Sequence, residues 1–320
     1  MSEFDLIARY FTRPDRGHSS VLLGVGDDCA LLKPVLGQQA ISMDMLVEGR
    51  HFLAGADPAA LAHKCLAVNL SDLAAMGARP VAFTLALALP AIDESWLQGF
   101  SKGLFALADR HDCALIGGDT TKGPLAICIT VFGELAKTNA MRRSAARAGD
   151  DIWVSGTLGE ARLALAYRLG ELPVDESALA RSAPRMDRPT PRIELGMALV
   201  GIAHAAIDIS DGLGGDLGHI LTRSSVGATV DVDALPAGPA LANQSVALRR
   251  EYCVAGGDDY ELCFTAPQAR RQAVLDAARD SRTAVTRVGR IEPLPGLRLT
   301  DGNGIALNLT YPSFDHFTTP

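Results

Sequence analysis

Carboxylates set beside glycine, serine or asparagine recur at six places along the 320-residue chain. They are Gly26-Asp27-Asp28, Ser42-Met43-Asp44, Asn69-Leu70-Ser71-Asp72, Gly118-Asp119-Thr120, Asp208-Ile209-Ser210-Asp211-Gly212 and Gly256-Gly257-Asp258-Asp259-Tyr260-Glu261. The chemistry such a pattern suits is the handling of phosphate through metal ions. A triphosphate is repelled by clustered carboxylates unless hard divalent cations lie between them, and Mg²⁺ takes oxygen ligands, usually one or two carboxylates with phosphate oxygens and water. Phosphoryl transfer asks the protein for positioning and charge neutralisation more than for covalent chemistry. Glycines let backbone amides approach phosphate closely. One Gly-Asp pair alone is a turn former or a cap, and Asp57 before Pro58 reads as a helix cap. Six acidic turns spread over the chain are a collective signal that turn chemistry alone does not explain.

The elements that must position these residues alternate between strand and helix. Ile41–Asp44 reads as a short strand, and the helix opened by Asp57-Pro58 runs to about Met76, with Asn69 and Asp72 three apart on one face. Val81–Leu89 is an apolar strand, Glu94 to His111 a helix, and the strand Ala114–Ile116 leads into a Gly117-Gly118-Asp119-Thr120-Thr121 loop, with a further strand over Leu125–Leu135. Small, basic residues from Arg143 to Gly149 mark a boundary, which gives an N-terminal domain over 1–145 and a C-terminal domain over 146–320. In the second half, Asp151–Ser155, Ile207–Ile209 and Asp259–Thr265 read as strands. Helices are expected from Leu158, up to about His204 and over Pro267–Arg279, the Pro184–Pro191 stretch is expected to be irregular, and Ser210-Asp211 is expected to cap a helix running to Arg223. The two carboxylates of Asp208-x-x-Asp211 flank a turn and can converge on one point. Both halves carry an acidic glycine turn, which suggests two related α/β lobes facing one cleft.

Composition removes several other classes of function. Hydrophobic residues make up 48% of the chain and aromatics only 5%, so aliphatic side chains build the interior, as in an ordinary α/β enzyme. The net charge of −7, with no block of like charge, argues against a nucleic-acid surface. The six cysteines form no C-x-x-C pair, so neither a disulfide framework nor a zinc site is expected. The first eleven residues lack the order of a signal peptide, and apolar stretches such as Val81–Leu89 are too short to span a bilayer. A cytoplasmic, soluble protein is therefore expected. The P-loop string, the protein-kinase strings and the H-E-x-x-H zinc string are all absent. So is the EF-hand loop, which weighs against a calcium-binding module of that type.

The order of the motifs resembles the thiamine-monophosphate kinase family over essentially the whole chain. The strings are Gly24-Val25-Gly26-Asp27-Asp28-Cys29-Ala30, Met43 to Phe52, Asn69 to Gly77, Gly117-Gly118-Asp119-Thr120, Arg143-Ser144, Asp208 to Leu213, Gly256 to Leu262 and Phe314-Asp315-His316-Phe317. The resemblance implies a two-domain α/β (α+β type) fold of the aminoimidazole-ribonucleotide synthetase-like superfamily. Its N-terminal mixed sheet would form a barrel with that of a second copy in a homodimer, and its C-terminal α/β domain would complete the cleft. It further implies ATP and thiamine monophosphate as substrates, thiamine diphosphate as product and several Mg²⁺ ions.

Carried over by position, Asp27, Asp44, Asp72, Asp119 and Asp208 would hold Mg²⁺ with help from Ser42 and the Met43 backbone, and Asp211 would bind a further metal. Gly118, Asp119, Arg143 and Ser210 would touch ATP, while His51, Asp258 and Phe314 would face thiamine monophosphate. Asp72, Asp119 and Arg143 would act electrostatically, with no covalent nucleophile. Two positions depart from the family pattern: Asp258 stands where relatives often carry Glu, and Ala145-Ala146 replaces the common Gly-Ala. The competing readings are another ATP-using enzyme of the same superfamily and a non-catalytic metal- or nucleotide-binding module. A selenophosphate synthetase would carry a reactive Cys or selenocysteine with Lys before the first glycine motif, and nothing before Gly24 supplies that.

Overall fold

The computed structural model describes residues 2–13, 18–25, 29–135 and 140–308. Asp27 and Phe314 lie outside the described residues. The chain divides into two compact units, one made of Met1–Leu73 with Ala78–Thr138 and the other of Ala74–Gly77 with Asn139–Pro320.

The first unit opens with helix α1 (Glu3–Leu6) and a π-helical turn over Ile7–Phe11 that buries Tyr10 and Phe11. A small antiparallel pair follows, β1 (Val21–Leu23) with β2 (Leu31–Leu32). The body of the unit is a four-stranded sheet in the order β3-β6-β4-β5. Its strands are β3 (Gln38–Val47), β4 (Arg79–Leu89), β5 (Ala114–Lys122) and β6 (Ala126–Leu135), and its helices are α2 (Pro58–Met76) and α3 (Glu94–Arg110). Of its neighbouring strands only β4 and β5 pair in parallel.

Helix α2 begins as its sequence indicates, with the Ala60 N–H donating to Asp57 Oδ1 at 2.7 Å and Pro58 in the first turn. Asp93 caps α3 in the same way, accepting from the Ser95 and Trp96 amides. Leu66, Leu70 and Leu73 of α2, Leu97, Phe100 and Leu104 of α3 and Phe83 of β4 are fully buried. The two helices approach closely because α3 carries Gly99 and Gly103 one turn apart; a Cβ on Gly103 would overlap the Ala59 carbonyl oxygen.

The second unit holds a seven-stranded sheet in the order β13-β12-β9-β11-β7-β10-β8. Its strands are β7 (Asp151–Ser155), β8 (Ala205–Asp208), β9 (Gly227–Asp231), β10 (Leu262–Ala266), β11 (Val285–Glu292), β12 (Gly296–Thr300) and β13 (Ala306–Leu307). Its helices are α4 (Glu160–Arg168), α5 (Glu176–Asp187), α6 (Ile193–Leu199), α7 (Leu213–Ser224), α8 (Pro239–Ala242), α9 (Val246–Ala255) and α10 (Arg271–Asp280). One core joins Ile152 and Val154, Leu163, Ile207, Leu217 and Ile220, Val230, Cys263, and Val288 and Ile291. The molecule is thus a two-domain α+β protein with a mixed sheet in each unit.

Several expectations are corrected. The Gly117–Thr121 segment is part of β5, not a loop. Gly118 sits there at φ +152°, and an added Cβ would run into the Leu85 carbonyl oxygen, so this glycine serves the close approach of β5 to β4. Strand β3 extends well beyond Ile41–Asp44 at both ends, because β6 pairs with it along its whole length. The Pro184 stretch is helical, with Pro184 near the end of α5. Strand β10 begins at Leu262, since Asp258 and Tyr260 adopt positive φ (60° and 50°), which no regular strand admits.

The helix contact predicts that Gly103→Val lowers stability by about 1–3 kcal/mol or more, the usual cost of overpacking, read as a lower urea midpoint. An unchanged midpoint would show that α2 and α3 do not meet so closely.

Candidate phosphate and metal site

In the first unit, the alternation of β3 turns Ser42, Asp44 and Leu46 to the half-buried or buried side and leaves Ile41, Met43 and Met45 about 54–61% exposed. Two side chains of α2 meet that strand. The Asp44 N–H, on the free edge of β3, donates to Asn69 Oδ1 at 3.0 Å, and Asn69 itself donates to the Cys65 carbonyl. Ser42 Oγ donates to Asp72 Oδ2. Spacing three along α2 thus brings Asn69 and Asp72 to one strand, and Asp72 comes beside Asp44. Burial, with the Asp72 charge adding to it, pushes the Asp44 carboxyl up to about 6. Burial, again with the Asp44 charge, raises the neighbouring Cys128 thiol.

His51 lies in the tight turn after β3. The Val47 N–H can only donate, so at 3.0 Å it makes His51 Nδ1 an acceptor. The ring proton of the neutral imidazole is then on Nε2.

Asp119 is placed differently from Asp44. It pairs in register with Ala86, Cys128 and Met45, whereas Asp44 shares its row with Ile129, Leu85 and Gly118. Asp119 is exposed, and it lies three strand spacings, about 14 Å, from β3. Among the described residues no group of three or more His, Cys, Asp and Glu side chains could hold a metal ion. What the first unit does assemble is a hydroxyl and two carboxylates, all hard oxygen donors. That set fits the one or two carboxylates Mg²⁺ takes from a protein.

In the second unit, Asp208 ends β8 and is 5% exposed. The following turn lies against the Gly256–Glu261 segment. Asp258 N–H donates to the Ser210 carbonyl (2.7 Å), Tyr260 N–H to the Ile209 carbonyl (2.9 Å) and Ile209 N–H to the Glu261 carbonyl (2.8 Å). A Cβ on Gly212 would strike Ala255, and one on Gly257 would strike the Ser210 carbonyl, so both glycines allow the approach. Neither Ser210 nor Asp211 caps α7 as expected; Gly212 is the first flanking residue, and no side-chain cap is made there. Asp216 reaches back instead. Its Oδ2 accepts the Ser210 and Asp211 amides at 3.0 and 3.1 Å. Burial and the Asp211 charge push Asp216 up to about 7 against those two bonds and the Arg143 charge. Arg143 stays exposed in a short 3₁₀ turn, tied to α7 by Ser224 Oγ donating to its carbonyl (2.8 Å).

Sequence reasoning did not find Asp216, because it caps from inside the helix and not ahead of it. Two acids of the last motif, Asp259 and Glu261, are structural. Asp259 is buried and accepts the Gly159 amide with both oxygens at the start of α4, and burial holds its carboxyl well above the usual range. Glu261 is buried between Arg185 (2.5 Å), Arg192 (2.5 and 2.6 Å) and Ser155 Oγ (2.6 Å). Asp258 is only half-buried.

Asp44 gives a pH dependence with a definite sign. Its folded value lies above its ordinary value of 3.8, so ionising it costs the folded state. That cost is absent below about pH 4 and complete above about pH 6, on the order of 2–3 kcal/mol. In chelator, the thermal midpoint of the wild type should fall more between pH 5 and pH 8 than that of Asp44→Asn. Added Mg²⁺ at pH 8 should raise the wild-type midpoint and leave the variant nearly unmoved. Parallel profiles would exclude Asp44 from the cation site.

Residues 26–135 match the family described as AIR synthase related protein, N-terminal domain, and residues 147–302 match AIR synthase related protein, C-terminal domain. The thiamine-monophosphate kinase of Salmonella typhimurium (strain LT2) is 48% identical over 324 residues, covering 99% of each chain. The crystal structure of thiamine-monophosphate kinase from Stenotrophomonas maltophilia K279a has a TM-score of 0.84 at 47% identity, over 91% of this chain and 93% of that one. AaThiL complexed with AMPPCP and TMP has a TM-score of 0.75 at 30% identity, over 88% of this chain and 90% of the other. The chain belongs to the thiamine-monophosphate kinase family.

Proposed function

We propose that this protein transfers the γ-phosphoryl group of ATP to the phosphate of thiamine monophosphate, releasing ADP and thiamine diphosphate. The observation that carries the reading is full-length likeness, at 48% identity, to an enzyme named for that reaction. A relative at 30% identity has been solved with AMPPCP and TMP, which supports the same pair of substrates here. A phosphate oxygen of the acceptor forms the new bond to the γ-phosphorus as the bond to the β–γ bridging oxygen breaks, and the electron pair leaves on ADP. The attacking monoester is already largely ionised at neutral pH, since its second pKa is about 6, so no strong base is required.

Bound Mg²⁺ supplies the charge neutralisation that two polyanions need to meet. Asp27, Ser42, the Met43 backbone, Asp44, Asp72, Asp119 and Asp208 are proposed to share several such ions as ligands, and Asp211 to serve a further one. Ser42 donates its hydroxyl proton to Asp72, which orients that carboxylate. Gly118, Asp119, Arg143 and Ser210 bind ATP, and Arg143 adds positive charge as the phosphoryl group moves. His51, Asp258 and Phe314 receive thiamine monophosphate. His51 presents an Nε2 donor because Val47 occupies Nδ1. Residues 1–145 are proposed as the ATP, metal and dimerisation domain and 146–320 as the domain that completes the site.

We also place the protein in the cytoplasm as a homodimer, with neither membrane nor nucleic acid as partner. No helix among the described residues is long and apolar enough to cross a membrane. The exposed row Ile41, Met43, Met45 on β3 suits an apolar interface between the N-terminal sheets of two copies.

An ADP-release assay with thiamine monophosphate should show turnover that requires both this acceptor and Mg²⁺. ADP release with a purine-pathway amidine instead would favour another enzyme of the superfamily, and metal binding without ADP release under any condition would favour a binding module. Asp72→Asn should lower kcat by about 100-fold or more while keeping the thermal midpoint near that of the wild type; turnover near wild type at low Mg²⁺ would refute the role of Asp72. The double variant Ile41→Glu, Met45→Glu should halve the molar mass measured by light scattering. An unchanged mass would move the interface elsewhere.

A further inference from the structure

The Asp208–Gly212 turn is unusual in how little of its backbone is left for a ligand. The Ile209 N–H and carbonyl, the Ser210 N–H and carbonyl and the Asp211 N–H all have partners within the protein. Two of the five belong to Asp216, which is 3% exposed and whose own N–H closes the turn by donating to the Gly212 carbonyl at 3.0 Å. Phosphate sites at helix N-termini usually use free backbone amides. Here the Ser210 and Asp211 amides are consumed within the protein, so those two N–H groups are not offered to a ligand. The same turn carries Asp258, whose N–H hangs on the Ser210 carbonyl at 2.7 Å.

We propose that Asp216 is a positioning residue: its Oδ2 oxygen, through the Ser210 and Asp211 amides, fixes the conformation in which this turn presents its side chains to nucleotide and metal. The inference rests on the ATP-dependent reading above. It does not require the negative charge of Asp216. Both bonds land on a single oxygen, and an amide oxygen in the same place has the two lone pairs to accept both. Leucine has nearly the same shape and accepts neither.

The test uses the full-length protein with Mg²⁺, ATP and thiamine monophosphate. Asp216→Asn should keep kcat/KM for ATP within about threefold of the wild type, whereas Asp216→Leu should lose about 10–100-fold, the range typical of residues that orient ligands from behind. In the leucine variant the KM for thiamine monophosphate should rise as well, because Asp258 hangs on the same turn. Without any ligand, the Ser210 and Asp211 amides of the wild type should exchange with D₂O at least about 100-fold more slowly than in an unstructured peptide. A loss above tenfold in the asparagine variant would overturn the proposal, since the charge itself would then act. A folded leucine variant with wild-type kinetics, or unprotected amides, would overturn it too. If the leucine variant does not fold, the asparagine and exchange measurements still decide. Should the wild type release no ADP with thiamine monophosphate, the proposed function fails, while amide exchange still judges the brace.

Discussion

Carboxylates crowded into poorly solvated places repel one another, and the local structure of both units answers to that repulsion. In the first unit, Asp44 and Asp72 lie together, with the Ser42 hydroxyl donating to Asp72 from the strand to the helix. In the second, Asp211 and Asp216 are eased by two backbone amides and by the charge of Arg143. The chain treats its other buried acids quite differently. Glu261 is gripped by Arg185 and Arg192, and Asp151 by Arg271 and Arg287. Glu261 and Asp151 are thus matched with arginine, while the Asp44 and Asp72 charges, and those of Asp211 and Asp216, act against each other. That imbalance is what a cation of charge two would correct, so the donor sets and the architecture around them share one explanation.

Much of this was legible in the residues before any coordinates. Local signals gave good boundaries: Asp57 and Asp93 cap helices through short-range bonds that depend on neighbours in the chain. The three-residue spacing of Asn69 and Asp72 puts both on one face, and in the structure that face meets β3. The motif strings were enough to reach the family. What failed depended on distant partners. Glycine is punctuation in a sequence, yet Gly118 is inside a strand because the neighbouring backbone leaves no room for a side chain. Pro184 reads as a break, yet it lies inside α5, which runs on to Asp187. Glu261 looks like one more acid of a cluster until the arginines, some seventy residues earlier, are seen around it. Asp216 carries no sequence signal, because it reaches the amides five and six residues back, beyond the three-residue span of a capping box.

The alternation of β3 has a consequence for how this protein can vary. One ten-residue strand sends Ser42 and Asp44 to α2 and sends Ile41, Met43 and Met45 to the opposite surface. Because side chains in a strand alternate with a period of two, adding or deleting one residue within it would exchange the two faces at a stroke. The carboxylate would be thrust among methionines, and an apolar side chain would be turned toward Asp72. Point substitutions on either face can be explored one at a time, but length cannot. Strand β3 therefore behaves as a ruler whose gauge is shared by two unrelated tasks, and insertions in this part of the chain are confined to the turns at its ends.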